Sequence, residues 1–443
     1  MSEGASEAAE RRRQQAELYG APVDAIVRDV EQHVGIDSRE MASVIGVSWP
    51  MFNEVLAARR VRIGNPAGIV RLGMLREFAG HLASGEADPG DINLTIAQIR
   101  SATTTEPRNL TAVADGPPRS GVGLLTKQSL SAARALVGRH VRPTPARRWP
   151  LLERITGTET WVKHENHNPT GAFKVRGGLN FVARLGQTNP ELAGIITATT
   201  GNHGQSLAYA GRAHRLPVTI VVPEGNSPDK NDAMRAYGAD LIVHGKDFQA
   251  ALEFSRQMAA EKQLLPVPPF HPWLVEGVAT YAAELHESVP AIDVIYVPVG
   301  MGSGICANIA VRDLLGLTTE IVGVVADRAP AYALSFEAGE PVATPTSDTF
   351  VDGTAVRTPD PDAVRIIRAG ASRVVRVSED QAAEAMALHY RATHNLPEPA
   401  GSLALAGCLA EKDRVAGRRV ALIQTGSNCD FPVLARVMER FQN

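Results

Sequence analysis

Two periodicities divide this 443-residue chain. Up to about residue 105, apolar positions recur three and four residues apart, as in Val23-Ala25-Ile26-Val30 and Ile69-Leu72-Leu75-Phe78. That spacing predicts amphipathic helices. From about residue 123 the pattern changes. Short, near-continuous apolar runs at 195–200, 218–223, 241–244, 294–299, 321–325 and 420–424 read as strands. Between them lie longer helical stretches, at 204–214 and from Asp247 to Lys262. Ser227-Pro228 opens another, a capping residue followed by proline in the first turn. Strands that are apolar on both faces and alternate with helices predict parallel sheets covered on both sides. The expected fold class is α/β, preceded by a small all-α unit.

Composition narrows the class. The chain is 44% hydrophobic and 21% charged, ordinary for a globular protein of two or three domains. A formal charge of −3 gives no general attraction to nucleic acid or to an acidic membrane. Cys306, Cys408 and Cys429 lie far apart, with neither a zinc spacing nor a disulfide framework. No metal site is expected, and a reducing, cytoplasmic compartment is. The first residues, MSEGASEAAERRRQQ, are charged and make no signal peptide. No apolar run of about 18 residues offers a membrane span.

Residues 37–48 read as two short helices meeting at a turn. Asp37 or Ser38 caps the first, Gly46 fits the left-handed position that ends it, and Ser48 caps the next, expected from Trp49 to Ala58. The stretch resembles the helix-turn-helix of phage-repressor-type DNA-binding domains, whose second helix reads the major groove. Arg59, Arg60, Arg62, Arg71 and Arg76 follow and are candidates for phosphate contact. The second helix, however, carries Trp49, Pro50, Met51, Phe52 and Val55, with Asn53 and Glu54 as its polar readers. Base edges are read mainly by Arg, Lys, Asn and Gln. A docking or oligomerisation role is favoured over DNA.

Candidate chemistry lies in four loops. In HENHNPTGAFKVRGG, residues 164–178, Lys174 follows Phe173 and stands between two glycine-bearing turns, Pro169-Thr170-Gly171 and Gly177-Gly178. Glycines admit close backbone approach. A confined amine loses its preference for the ammonium form and then condenses with an aldehyde. In Thr199-Thr200-Gly201-Asn202-His203-Gly204 a strand gives way to a helix whose first N–H groups suit a carboxylate or phosphate. His203 alone reads as structural. Gly300-Met301-Gly302-Ser303-Gly304 lies between a strand and a helix, as a phosphate cradle would. Gln424-Thr425-Gly426-Ser427-Asn428 closes the last strand with the hydroxyl of Thr425. An amine for an aldehyde, a phosphate cradle and a buried hydroxyl together suit pyridoxal phosphate. A nucleotide site explains the glycines and leaves Lys174 without a purpose.

With PTGAFK, TTGNHG, GMGSG and QTGSN in this order, the chain from about 123 onward resembles the fold-type II pyridoxal-phosphate enzymes, serine/threonine dehydratase family. The resemblance implies a two-domain fold, with 123–193 and 271–443 as the large domain and 194–270 as the small one. It leaves 1–105 as a helical, helix-turn-helix-like extension and 106–122 as a linker rich in Pro, Thr and Gly. It implies a Schiff base on Lys174 with Phe173 beside the cofactor ring, and Asn202 on the phenolic oxygen. It implies the backbone of Thr199, Thr200, Gly201, Asn202 and His203 on the substrate carboxylate. Gly300, Met301, Gly302, Ser303 and Gly304 would hold the phosphate, and Thr425 would stand by the ring nitrogen. VDG at 351–353 and PEPAG at 397–401 match further family segments near the cofactor.

Departures refine the expectation. Met301 and Ser303 interrupt the family's run of glycines, and Ala172 replaces a common serine. Thr200 stands where racemases of the family carry serine and many dehydratases alanine, so it is a second acid–base candidate. Ala326-Asp327 lacks the glutamate of the divalent-metal site in some relatives. No segment after the last motif is read as the regulatory domain of biosynthetic threonine deaminases. The implied reaction converts a β-hydroxy amino acid to a 2-keto acid and ammonia, in an oligomer of dimeric or higher order. Competing readings are a racemase or another β-eliminating lyase, and a cofactor-sensing regulator that binds DNA.

Overall fold

The computed structural model describes residues 3–84, 92–101 and 124–441, so the expected linker at 106–122 lies outside the described residues. The chain falls into two compact units, 1–115 and 116–443.

The first unit holds helices at Glu3–Tyr19, Val23–His33, Ser38–Ile45, Trp49–Leu56, Pro66–Ser84 and Ile92–Ser101. The Asp37 side chain accepts from the N–H groups of Arg39 and Glu40, and Gly46 at φ 74° ends that helix. Ser48 precedes the next helix without a side-chain capping bond, and that helix stops at Leu56 rather than Ala58. Its end is held from outside, because Gln15 Nε2 donates to Val55 O at 2.7 Å and to Arg60 O at 3.0 Å. Phe52 and Val55 are fully buried in one cluster with Met41, Val44, Ile45, Leu72 and Leu75. An eight-residue helix in so small a bundle must turn its apolar stripe inward. Of the five apolar residues read there as a docking face, Phe52 and Val55 therefore line the inside of their own unit, while Trp49 and Met51 are half-buried. Pro50, Glu54 and Ala57 face outward, and Glu54 pairs with Arg59 at 2.9 Å.

The second unit is built on two sheets. Its strands are β1 (Ala146–Arg148), β2 (Glu159–His164), β3 (Ile195–Ala198), β4 (Val218–Val222), β5 (Asp240–Val243), β6 (Leu265–Pro266), β7 (Val294–Pro298), β8 (Glu320–Ala326), β9 (Arg373–Val377) and β10 (Arg419–Gln424). Six form a sheet in the order β1-β2-β10-β7-β8-β9, and four form another in the order β5-β4-β3-β6. All pairs are parallel except β1 with β2. In the larger sheet Ile295, Val297, Ile321, Ala421 and Ile423 face one core, while Tyr296, Val322, Val324 and Leu422 face another with Leu403. Each such aliphatic side chain contributes about 1.5–3 kcal/mol of burial, and that double burial makes the strands apolar throughout. The strands without such runs are ends and edges. β1 is Ala-Arg-Arg, β2, next in from that edge, is Glu-Thr-Trp-Val-Lys-His, β6 has two residues including Pro266, and β9 is Arg-Val-Val-Arg-Val on the rim.

Gly177-Gly178 is not a turn. The helix Lys174–Thr188 runs through both residues. A Cβ on Gly177 would lie 2.9 Å from Leu274 O, and one on Gly178 would lie 2.3 Å from Ser206 Oγ. These glycines let two neighbouring helices, Pro272–Ser288 and Asn202–His214, approach the backbone closely. The carboxyl ends of β3, β7 and β10 open into loops 199–201, 299–302 and 425–430, where ligands of open parallel sheets bind.

Candidate active site

Lys174 begins its helix at the end of a loop stitched to β10. Phe173 N–H donates to Thr425 O at 3.0 Å, Ser427 N–H donates to Gly171 O at 2.9 Å, and Ala172 forms a β-bridge with Gly426. Ser206 Oγ donates to Lys174 O at 2.5 Å. Below the lysine lies a buried ion-pair network. Arg176 gives Nε to Glu165 and Nη1 to Glu284, each at 2.7 Å, and Lys163 Nζ gives Glu284 another bond at 2.7 Å. Burial works against the Glu165 charge, but Arg176 and Lys163 outweigh it and hold its pKa low.

A cavity opens at the lysine. Its walls are Phe173, Lys174, Asn202, the 300–304 loop, Thr425, Pro298, Gly353, Thr354, Glu398 and Ala400. Burial disfavours the Lys174 ammonium and lowers its pKa, with Glu398 pulling the other way. The Phe173 ring packs edge-on to Tyr281, at 6.1 Å between centroids.

The 300–304 loop is shaped by sterics. Gly302 sits at φ +99°, and a Cβ there would lie 2.8 Å from that of Ala363. A Cβ on Gly300 would lie 2.4 Å from Gly353 O. Tyr332 fixes the loop from behind, donating to Met301 O at 3.0 Å while accepting Asp360 N–H at 3.1 Å. Ser303 starts the helix Ser303–Leu314, whose first amides have no intrahelical acceptor and point to the cavity end.

Thr425 is 4% exposed, and its Oγ1 has no hydrogen-bond partner. The preceding residue is tightly held. Gln424 Oε1 accepts from His164 Nδ1 at 2.8 Å and His389 Nε2 at 3.1 Å, which fixes both tautomers. Burial keeps both rings neutral, with pKa values near 4 and 3.

Asn202 is the second residue of a side-chain chain. Asn428 Nδ2 donates to Thr170 O at 2.8 Å and to Asn202 Oδ1 at 2.7 Å. That contact turns the Asn202 amino group toward Glu398, with bonds of 2.8 and 3.0 Å. Thr199, Thr200, Gly201 and His203 are not among the cavity walls. Thr199 N–H extends the sheet by donating to Val221 O at 3.1 Å, and Thr200 is exposed. His203 is buried and neutral, lowered to about 3 by burial and the nearby Lys174 charge. Nearby, Lys230 pairs with Asp352 and, at 3.5 Å, with Asp430.

Sequence reasoning named the VDG and PEPAG segments without assigning Glu398, Thr354 or Asn428. A carboxylate between two prolines in a buried segment was the available signal for Glu398. Among the described residues no cluster of His, Cys, Asp or Glu forms a metal site, and no helix is long and apolar enough to cross a membrane.

A reactive amine kept out of water, set opposite an anion cradle in the mouth between two parallel sheets, is the layout of an enzyme that carries an aldehyde cofactor on lysine. Residues 137–426 match the family described as pyridoxal-phosphate dependent enzyme, and the chain belongs to that family. It is 34% identical over 288 residues to an L-threonine ammonia-lyase of Geobacter sulfurreducens, covering 64% of this chain and 71% of that one. It is 30% identical over 333 residues to the biosynthetic L-threonine dehydratase of Escherichia coli, covering 74% and 64%. A similar enzyme of Haemophilus influenzae is matched over 58% of its length, so the chain spans less than two thirds of these two biosynthetic relatives. Among solved structures, threonine deaminase isoform 2 of Solanum lycopersicum superposes with a TM-score of 0.68 at 28% identity, over 71% of this chain and 93% of that one.

The residues present fit the cofactor. The unpartnered Thr425 Oγ1 is a donor or acceptor suited to a ring nitrogen. The glycine loop excludes side chains where a phosphate would meet amides. The Lys174 amine is biased toward its neutral, aldehyde-reactive form.

Proposed function

We propose that this protein is a dehydratase, or ammonia-lyase, that converts a small β-hydroxy amino acid of the serine/threonine type to a 2-keto acid and ammonia. The observation that carries the reading is that Lys174, the 300–304 loop and Thr425 line one cavity. Bound pyridoxal phosphate supplies an aldehyde that links to the substrate nitrogen and a ring that withdraws electrons from the α-carbon. Lys174 is the residue that would hold the cofactor, and its displaced amine is the base for the α-proton. The amides of Gly300 to Gly304 would hold the phosphate. Thr425 would offer the ring nitrogen a neutral hydroxyl. A neutral partner leaves the ring a weaker electron sink than a carboxylate would, which favours prompt loss of the β-hydroxyl. Asn202, oriented by Asn428, would offer its amino group to the phenolic oxygen.

The amides at the start of the helix Asn202–His214 are the site for the substrate carboxylate. Thr199 N–H is excluded from that role by its bond to Val221 O. Thr200 is exposed and outside the cavity walls, and no acid–base role is assigned to it in the dehydratase reading. The named relatives support the dehydratase reading in the same direction. The test is incubation of the loaded protein with serine, threonine and 3-hydroxyaspartate, assaying keto acid, ammonia and the chirality of recovered substrate. Racemised substrate without keto acid overturns the reading, as does no product from any of them.

A further inference from the structure

Glu398 precedes the helix Pro399–Ala410, where side chains commonly turn back onto the first amides. Glu398 makes no such bond. Its carboxyl is 3% exposed and faces the cavity with Lys174, Asn202 and Thr354. It lies against Gly426, where a Cβ would come within 2.5 Å of Oε1, so residue 426 must be small for the carboxyl to lie there. Asn202 Nδ2 donates to both of its oxygens. The charged groups around it come from other elements. They are Asp352 after the 350 loop, Lys230 on the helix Pro228–Ala236, and Lys174. Asp430 reaches the group through Lys230. Cys429 nearby is held neutral, its thiol pushed up to about 12 by burial and by Glu398. Burial, then the Asp352 charge, raises Glu398 from its ordinary range to about 7, against the pull of Asn202, Lys230 and Lys174. At neutral pH the carboxyl is thus divided between its acid and base forms, the condition a general acid needs.

We propose that Glu398 is the general acid that protonates the departing β-hydroxyl. The assignment rests on the dehydratase reading. Lys174 removes the α-proton, and the released electron pair becomes the new α–β double bond. The β-carbon–oxygen bond breaks with its pair on oxygen. That oxygen takes the proton of Glu398 and leaves as water. Glu398 remains as carboxylate and Lys174 as ammonium, and transfer of one proton from Lys174 back to Glu398 resets both. The released unsaturated amino acid reacts with water to give keto acid and ammonia.

Glu398→Gln keeps the shape and still accepts from Asn202, but has no proton to give in this role. In the loaded enzyme, turnover of serine or threonine is expected to fall about a hundredfold or more, the usual worth of a general acid. Exchange of the substrate α-hydrogen with deuterated water stays within a few-fold of wild type. Elimination from β-chloroalanine, whose chloride leaves without a proton, also stays within a few-fold. As a readout free of activity, difference infrared spectroscopy of cofactor-free wild type minus variant should show a protonated carboxyl titrating near neutral pH. Equal losses on the hydroxy and chloro substrates overturn the proposal, as do unchanged serine turnover or the absence of that carboxyl signal. A wild type that eliminates β-chloroalanine but makes keto acid from no hydroxy amino acid overturns the dehydratase reading itself, and this assignment with it.

Discussion

Replacing Thr425 with valine separates two states of the same hydroxyl. In the cofactor-free protein Oγ1 is buried and has no partner among the protein's own groups. An unsatisfied buried hydroxyl costs roughly 1–3 kcal/mol, and valine keeps the shape without that cost. Thr425→Val is therefore expected to stabilise the cofactor-free protein by about 1 kcal/mol, raising its melting temperature by roughly 1–2 °C. In the loaded protein the sign reverses, because the ring nitrogen loses its partner at a cost of about 1 kcal/mol. The difference of about 2 kcal/mol appears as a roughly thirtyfold weaker cofactor affinity. Calorimetry of both forms, with titration of cofactor absorbance, measures each arm. A variant that is less stable without cofactor, and binds it as tightly as wild type, would refute the assignment of this hydroxyl to the ring.

Lys174→Ala is expected to lose the absorbance of the lysine-linked cofactor and at least about a thousandfold of turnover, since base and anchor go together; spectra and keto-acid assays check both. Gly302→Ala places a Cβ at φ +99° and 2.8 Å from Ala363. It should cost on the order of 1–3 kcal/mol in denaturant unfolding and weaken phosphate binding. Glu165→Gln leaves Arg176 and Lys163 buried with one carboxylate fewer, an expected loss of about 3–5 kcal/mol by the same measurement. Glu398 holds its proton more tightly folded than unfolded, so its stabilising share is complete below its ordinary pKa of 4.5 and is lost as pH rises through about 7. Cofactor-free wild type should thus lose on the order of 3 kcal/mol relative to Glu398→Gln between pH 4 and 8, and a constant difference would count against the buried proton.

The residues that sequence reasoning could single out are those whose type is odd for their local setting. A lysine beside phenylalanine and glycine, alternating glycines before a helix and a threonine closing an apolar strand all stand out without a partner in view. Caps are local too: Ser227 accepts from Lys230 N–H and Asp247 from Ala250 N–H. Glu398, Asn428 and the Arg176 network are different. Their meaning comes from partners 100 to 260 residues away, such as Glu284 for Arg176 and Thr170 for Asn428. Phe52 and Val55 misled for the same reason, since an apolar helix looks alike whether its stripe faces a partner or its own bundle. Gly177-Gly178 read as a turn because close helix packing and chain reversal ask for the same residue.

The backbone bonds that tie Gly171, Ala172 and Phe173 to residues 425–427 also set what can move. Lys174 and the Thr425 hydroxyl thus belong to one laced piece of main chain, which limits drift between them. The opposite jaw, carrying Asn202, is tied across by side-chain bonds to Glu398 and Asn428, which rotamer changes can undo. Parting that jaw would break those side-chain bonds and leave the laced main chain intact.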